Sequence, residues 1–389
     1  MHIRRILIIS VCCLFFFQGK TQGKETAEEV DKHSLSLYSE ARWQALFEYG
    51  KENIASGIDF SLLRMRTGYA AFKLGKYSQS LSQYNKVLAL EPDNYSALYY
   101  VYLNNLYLKN DVAARFYAKK LSAETNAAEQ ISRVKLHSVE AEYSHKQTSD
   151  TLRKNAQYAR LGINVQLGYQ FELQQSGALF KQEISEPTMV SVTNNRHINL
   201  NLKEYYGKLI FGASGRMSIL GGFHYINSPF NNYSYNNSVV FGGVNYTMPF
   251  VHVKAMTSFA KLSDSAYSQF DLQASYFPLG NIKLYGITRI SYNKQLVASQ
   301  IMGAKVAEKF WLEANLTIGS YATLLENDAL FVFNDIDEKQ FKTGASVYTE
   351  ISKKMVLTLN YTFEQKRRYQ TTNNYFYQHS ITTGLSWKF

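Results

Sequence analysis

A two-domain α + β chain is predicted, with α-helical repeats at the N-terminus and an antiparallel β-barrel of about twelve strands behind them. Three observations carry the prediction. The first third places apolar residues at helical spacing and repeats internally; the remaining two-thirds alternates apolar with polar residues at period two; and 15% of the residues are aromatic while Pro is held to five. A helical stripe must be buried against other helices, and an alternating strand must stand between two different environments. At 389 residues the chain is long enough for each part to bury its own core.

The chain opens on Met1-His2-Ile3-Arg4-Arg5, continues as an apolar run from Ile6 to Phe17 and turns polar over Gln18 to Gly23. A basic start, a short apolar core and small residues at Gly19 and Gly23 predict a secretory leader over residues 1–23. The apolar run is too short to span a bilayer. Cys12 and Cys13, the only cysteines, fall inside it and neither stands where a lipid-attachment signal needs one. Disulfides, thiolate metal sites and Cys nucleophiles are thereby excluded for the mature chain. Loss of the leader removes Arg4, Arg5 and Lys20 from the 42 cations and leaves 39 against 31 acids, a net charge of +8. That excess is scattered, as in Lys119-Lys120, Lys353-Lys354 and Arg367-Arg368, and no nucleic-acid partner is expected. An anionic partner such as lipopolysaccharide suits it better.

Residues 24–157 form the expected helical domain. The best repeat runs from Ser61 to Asn94 and carries Gly68, Ala70, Phe72, Gly75, Tyr77, Ser80, Leu81, Tyr84, Val87, Leu88, Leu90 and Pro92. These spacings resemble the 34-residue tetratricopeptide unit, with Ser80 in place of the usual Ala and Ala71 where an aromatic is common. A second copy starts at Tyr95, with Ala114 and Tyr117 at the second-helix positions. An earlier, degenerate unit covers about 39–59, with Trp43, Ala45, Leu46 and Tyr49 on one face, and residues 126–150 read as a capping helix through Ile131, Val134, Val139 and Tyr143. The resemblance implies a partner-binding groove lined by first-helix residues. Here these are Met65, Tyr69, Phe72 and Lys73 in one repeat and Tyr99, Leu103 and Tyr107 in the next, with Tyr69 and Lys73 foremost; packing against neighbouring helices is the competing role for each.

Residues 158–389 form the expected barrel. The last strand shows the alternation well, with Ile381, Thr383, Leu385, Trp387 and Phe389 on one side and Ser380, Thr382, Gly384, Ser386 and Lys388 on the other. The expected strands are 161–175, 195–206, 213–227, 236–248, 250–262, 266–278, 281–293, 296–307, 310–320, 337–350, 354–367 and 375–389. A soluble sandwich alternates too, but export, strand length and the alternation of tight turns with long connections favour a transmembrane barrel of the Gram-negative outer membrane. Tight turns fall near Pro249, Leu279-Gly280, Glu308 and Ser352-Lys353; long loops are expected over 175–194, 227–235, 321–336 and 368–374. Short turns face the periplasm in such barrels, so the helical domain is expected there.

The polar strand positions predict a lumen lined by His252, Lys254, Asp271, Lys283, Arg289, Glu313, Lys342, Glu350, Asn360 and Glu364. Mixed charge of this kind plugs a small barrel with ion pairs or lines a narrow channel, and plugging is the more usual use. Leu385, Trp387 and Phe389 resemble the terminal signature read by the barrel assembly machinery. No catalytic motif, cofactor loop or His/Asp/Glu metal set is present, and no cofactor or metal is expected. In plan the chain resembles outer-membrane proteins that join periplasmic tetratricopeptide repeats to a barrel, YaiO-like proteins and exopolysaccharide export porins among them. The resemblance implies a non-enzymatic anchor that presents a scaffold to a periplasmic protein partner in envelope assembly or export. A transport or secretion channel gated by the repeats is the alternative, and a rim lipase using His252, His197 or His379 with a serine is the third reading.

Overall fold

A computed structural model describes residues 25–129, 131–188, 191–230, 233–369 and 373–389, the expected leader lying outside them. Among the described residues seven helices come first: α1 (Ala27–Ser39), α2 (Trp43–Ala55), α3 (Ser61–Lys73), α4 (Tyr77–Leu90), α5 (Tyr95–Tyr107), α6 (Asp111–Ala118) and the short α7 (Ala123–Ala128). The first six make three hairpins in register. Ala27, Ser61 and Tyr95 open the first helices and Trp43, Tyr77 and Asp111 the second, so both series repeat every 34 residues. Local chemistry sets the ends. Thr26 and Glu29 form a capping box on α1, Asn94 accepts from the Ala97 amide at the start of α5, and Gly57 and Gly75 supply left-handed residues after α2 and α3. Gly68 lets α3 and α4 cross closely, since a Cβ there would meet the Tyr84 ring at 3.0 Å.

The earliest hairpin thus begins at Ala27, and the stretch around Trp43 is its second helix. A larger correction follows α7. Residues 126–150, expected as a capping helix, instead supply β1 (Val134–Thr148), so the barrel begins well before residue 158. Its apolar residues fit helical and strand periods alike over so short a span, and pairing with the chain's last strand decides the matter.

The remaining strands are β2 (Ala156–Leu167), β3 (Phe171–Thr188), β4 (Ser191–Gly212), β5 (Met217–Phe230), β6 (Tyr233–Thr247), β7 (Val251–Leu262), β8 (Ser265–Tyr276), β9 (Leu284–Tyr292), β10 (Leu296–Ala307), β11 (Phe310–Glu326), β12 (Phe331–Ser352), β13 (Met355–Arg367) and β14 (Tyr375–Lys388). Each pairs antiparallel with its sequence neighbours, and β1 pairs β14 from Ser138↔Lys388 to Thr148↔Gln378, which closes a fourteen-stranded barrel. The expected count of about twelve falls short for two reasons. One is β1. The other is that the expected strand 161–175 spans two, because Leu167, Tyr169 and Phe171 keep the alternation going through a turn that Gly168 makes at φ +77°.

The expected tight turns at Pro249, Leu279-Gly280, Glu308 and Ser352-Lys353 all lie at one rim, the end at which β1 enters and β14 finishes. The described residues of the stretches expected as loops over 175–194, 227–235 and 321–336 are mostly paired strand, as in Ile184↔Ile198, Asn227↔Asn236 and Thr323↔Asn334. Polar residues there still meet the backbone's demand for ladder partners, so polarity alone mistakes ribbon for loop.

Register fixes the faces, since directly paired residues share a side. Leu272, Ile290, Leu312, Leu359, Tyr361, Ile381 and Trp387 point outward and are exposed, whereas Asp271, Ser291, Ser346 and Glu364 point inward and are buried. The outward aromatics Tyr375 and Trp387 are twelve residue steps apart on β14, about 30 Å for a tilted strand at ~3.3 Å per residue. A chain shortened to begin at Gln157 lacks β1 and leaves β2 and β14 with open edges. It is expected to lose the heat-shifted gel mobility of a closed barrel, whereas one beginning at Ser132 keeps it; equal mobility shifts would refute the closure described here.

Candidate functional site

Three sites are built from this frame: a hairpin inside the barrel, a docked helical layer at one rim, and an aromatic face on the helices.

The hairpin belongs to β11 and β12. Pairing of β10 with β11 ends at Ala298↔Ile318 and pairing of β12 with β13 at Glu338↔Arg367, so residues 319–337 leave both neighbours. They bend inward at Gly319, whose φ of +135° and 2.8 Å approach of its would-be Cβ to the Leu296 carbonyl oxygen leave no room for a side chain. The tip keeps its own ladder, Thr323↔Asn334 to Glu326↔Phe331, and turns through three successive left-handed residues, Asn327, Asp328 and Ala329.

That tip crosses the lumen to the opposite wall. The Asp328 carboxylate accepts from Lys208 at 3.1 Å and from Lys254, and its carbonyl oxygen accepts from the Tyr206 hydroxyl at 3.1 Å. His224 Nδ1 lies 2.8 Å from the Ala329 carbonyl oxygen and its Nε2 lies 3.2 Å from Glu204. Gln269 holds Leu325 as a strand would, accepting from its amide at 3.0 Å and donating to its carbonyl at 2.8 Å. Glu326 pairs Lys342 at 2.6 Å and Arg289 at 3.6 Å. Leu325 and Ala329 are wholly buried against an inward apolar patch that includes Leu220, Phe241 and Met256. The buried Asp328 and Glu326 carboxylates and the Gln269 amide thus each have partners, as burial at low dielectric demands.

The structure therefore brings five of the expected lumen residues onto or near this plug. Lys254, Arg289 and Lys342 bind the tip, Asp271 accepts from Gln269 at 2.9 Å, and Glu364 pairs Lys339 at 3.1 Å beneath the hairpin's base. Asn360 bonds Ser346 at 2.8 Å on the inner wall, Glu313 shares that inward side across from Ser346, and His252 packs on Phe277. Lys283 and Glu350 are exposed at the near rim rather than inside. The decisive residues that the sequence reading missed are Lys208, Tyr206, His224, Gln269, Glu326 and Asp328. The last two sit in a stretch expected to be an outer loop, and only the Gly319 bend turns it inward.

At the near rim the second helices dock. Arg115 of α6 reaches Glu172 of β3 at 2.6 Å with both side chains buried; Lys119 donates to Gln170 at 3.1 Å. The α4 end bonds the β8–β9 turn, Ser78 amide to Gly280 carbonyl at 2.9 Å and Asn281 to the Gly75 carbonyl at 3.2 Å. Gly212 and Gly215 make the fit possible, for Val112 and Tyr117 occupy the space a Cβ would need.

The first helices face elsewhere. Tyr69 sits between Tyr38, Trp43 and Tyr100 with ring centroids 5.3–5.5 Å away, Phe72 touches Tyr77, Tyr100 and Tyr107, and the Lys73 ammonium lies 5.8 Å from the Tyr69 ring. Burial, then the neighbouring Tyr69, pushes the Tyr100 phenol up to about 12, so it stays neutral and Lys73 supplies the charge of this face. Of the other expected groove residues, Tyr99 donates to Glu129 at 2.6 Å, while Met65 and Leu103 pack among the helices. Tyr38 and Tyr100 join the face without having been singled out in the sequence, and Tyr77, read there as a repeat position, joins it too.

At the end of β14, Trp387 stacks on Phe389, and the Phe389 amide donates to the His137 carbonyl at 3.2 Å. His379 meets the Tyr361 hydroxyl at 2.7 Å on the outer face, and the His197 side chain lies outside the described residues.

One measurement checks the plug. With Cys12 and Cys13 replaced by Ala, Ala329→Cys places a lone thiol at a position with no exposed surface. A water-soluble maleimide is expected to label it slowly. Asp328→Ala strands Lys208 and Lys254 without their acid, a change worth about 3–5 kcal/mol for a buried pair, and should speed labelling by more than about tenfold. Fast labelling before that change would mean that the tip is not held inside.

No protein-family model matches this chain, and no curated protein does. Among solved structures it is similar to the toluene transporter TodX of Pseudomonas putida, at 11% identity over 65% of this chain and 90% of that one, with a TM-score of 0.44. It is similar to a FadL homologue of Pseudomonas aeruginosa at 9% identity over 76% and 94%, with a TM-score of 0.48. It is also similar to the outer membrane protein Omp33 of Acinetobacter baumannii at 8% identity over 65% and 99%, with a TM-score of 0.38.

Proposed function

We propose that this chain is a Gram-negative outer-membrane protein whose barrel anchors tetratricopeptide-type repeats on the periplasmic side, where their first-helix face recruits a protein partner in envelope assembly or export. The membrane reading is supported by the predominantly apolar outer wall, which in water would expose far more contiguous hydrophobic surface than a soluble protein carries. No described helix is long and apolar enough to cross a bilayer.

The observation that carries the anchor reading is the docking polarity. α4 and α6 are spent on the rim, so the face formed by α1, α3 and α5, with Tyr69, Phe72, Tyr107 and Lys73, is left without a partner within the chain. A plugged lumen fits an anchor better than an open pore. We read the protein as non-enzymatic, with Leu385, Trp387 and Phe389 as its signal to the assembly machinery. Tyr69→Ala combined with Lys73→Glu is expected to abolish partner capture from native membranes while leaving heat-shifted mobility intact. Undiminished capture would remove the groove assignment.

A gated channel is the second reading, and one observation favours it. One hairpin crosses the lumen and is latched through ion pairs at Asp328 and Glu326, contacts that can be exchanged for water or another ion. In planar bilayers the native chain is expected to be silent. Steady current from an Asp328→Ala, Glu326→Gln variant would move the assignment to transport, and silence from both supports the anchor.

A further inference from the structure

Among the described residues, the charged side chains of the outer wall are few and confined to one end. Among the described strands, outward positions carry Lys181 and Glu183 on β3, Lys203 on β4, Lys261 on β7 and Glu338 with Arg367 on β12 and β13, all in the half away from the helices. Most of these are matched. Glu183 meets Lys154 at 2.6 Å, Lys261 meets Asp264 at 3.0 Å, and Arg367 pairs Glu338. Lys181 and Lys203 are both exposed, and neither pairs with an acid among the described residues. They are also neighbours: Lys181 lies opposite Asn201 and Lys203 opposite Leu179, a diagonal that sets their Cβ atoms about 7 Å apart. Toward the near rim the same two strands present Leu179, Leu173 and Phe171, and Tyr205, Leu209 and Phe211.

We propose that Lys181 and Lys203 bind the phosphate of a membrane glycolipid in the leaflet away from the helical segment. Each ammonium is a compact point charge suited to a phosphate oxygen, and two at this spacing can share one phosphate. The apolar wall directly beneath receives the acyl chains. That combination selects a lipid over free phosphate, because two exposed lysines alone hold a small anion weakly in salt, whereas a headgroup already delivered to this height by its chains needs only the last contacts.

The inference rests on the membrane reading, and the test separates the two. Full-length protein is extracted from native outer membranes in mild detergent, and retained phosphorylated glycolipid per barrel is counted by mass spectrometry. Lys181→Gln with Lys203→Gln is expected to lower retention by about tenfold. Lys261→Gln, which alters an exposed lysine that already has an acidic partner, should not change it. Retention unchanged in the double variant overturns the site, as does complete release of lipid from the native chain by millimolar inorganic phosphate. If the native chain does not sediment with the outer membrane, the membrane reading itself falls; if it does, with heat-shifted mobility, only this site is at stake.

Discussion

Everything in this molecule hangs on the pairing of β1 with β14. A sheet of this length with two free edges would expose unpaired amides and carbonyls along both, and in an apolar surrounding each such group costs several kcal/mol. Closure removes both edges at once and gives every strand one inner and one outer face. It also fixes which end is which, because β1 enters and β14 leaves at the same rim, where the Phe389 amide bonds back to His137. The helices are consequently held at that rim.

Inside, closure creates a space that the chain then fills from its own far end. The 319–337 segment gives up pairing with β10 and β13 and makes other contacts inside the lumen, where Gln269 imitates a strand and Asp328 and Glu326 each meet two cations. Apolar and ionic contacts share the work. Leu325 and Ala329 meet an inward apolar patch on β5 to β7, an exception to the rule of a polar interior that makes sense only with the tip in place. Buried ion pairs contribute little net stability but penalise any misplaced geometry heavily, so the latch specifies where the tip sits more than how tightly it holds.

At the near rim the same closed frame orients the helical layer. Small residues in the turns, Gly212 and Gly215, accept Val112 and Tyr117, and the Arg115 to Glu172 pair pins α6 from within the mouth. Because second helices do the docking, the first-helix aromatics are turned away from the barrel. Their mutual edge-to-face packing keeps Tyr69 and Phe72 half-buried and stiff, and a stiff surface loses little freedom when it binds.

The sequence by itself determined the class of both halves, because periods of 3.6 and 2 are properties of the local chain. The helix starts at Ser61 and Tyr95, the near-rim turns and most strands from β6 onward follow from residues within a few positions of one another. What only the tertiary structure decided depends on contacts far apart in the chain. β1 became a strand because β14 was there to pair with it, an interaction that spans nearly the whole barrel. Gly168 made a turn where alternation ran on unbroken. The site shows the same division: Lys254, Arg289 and Lys342 were legible as inward charges by alternation alone, but Asp328 and Glu326 were not. Their role depends on one glycine at 319 bending a hairpin through the lumen, a direction that no local pattern of residues encodes.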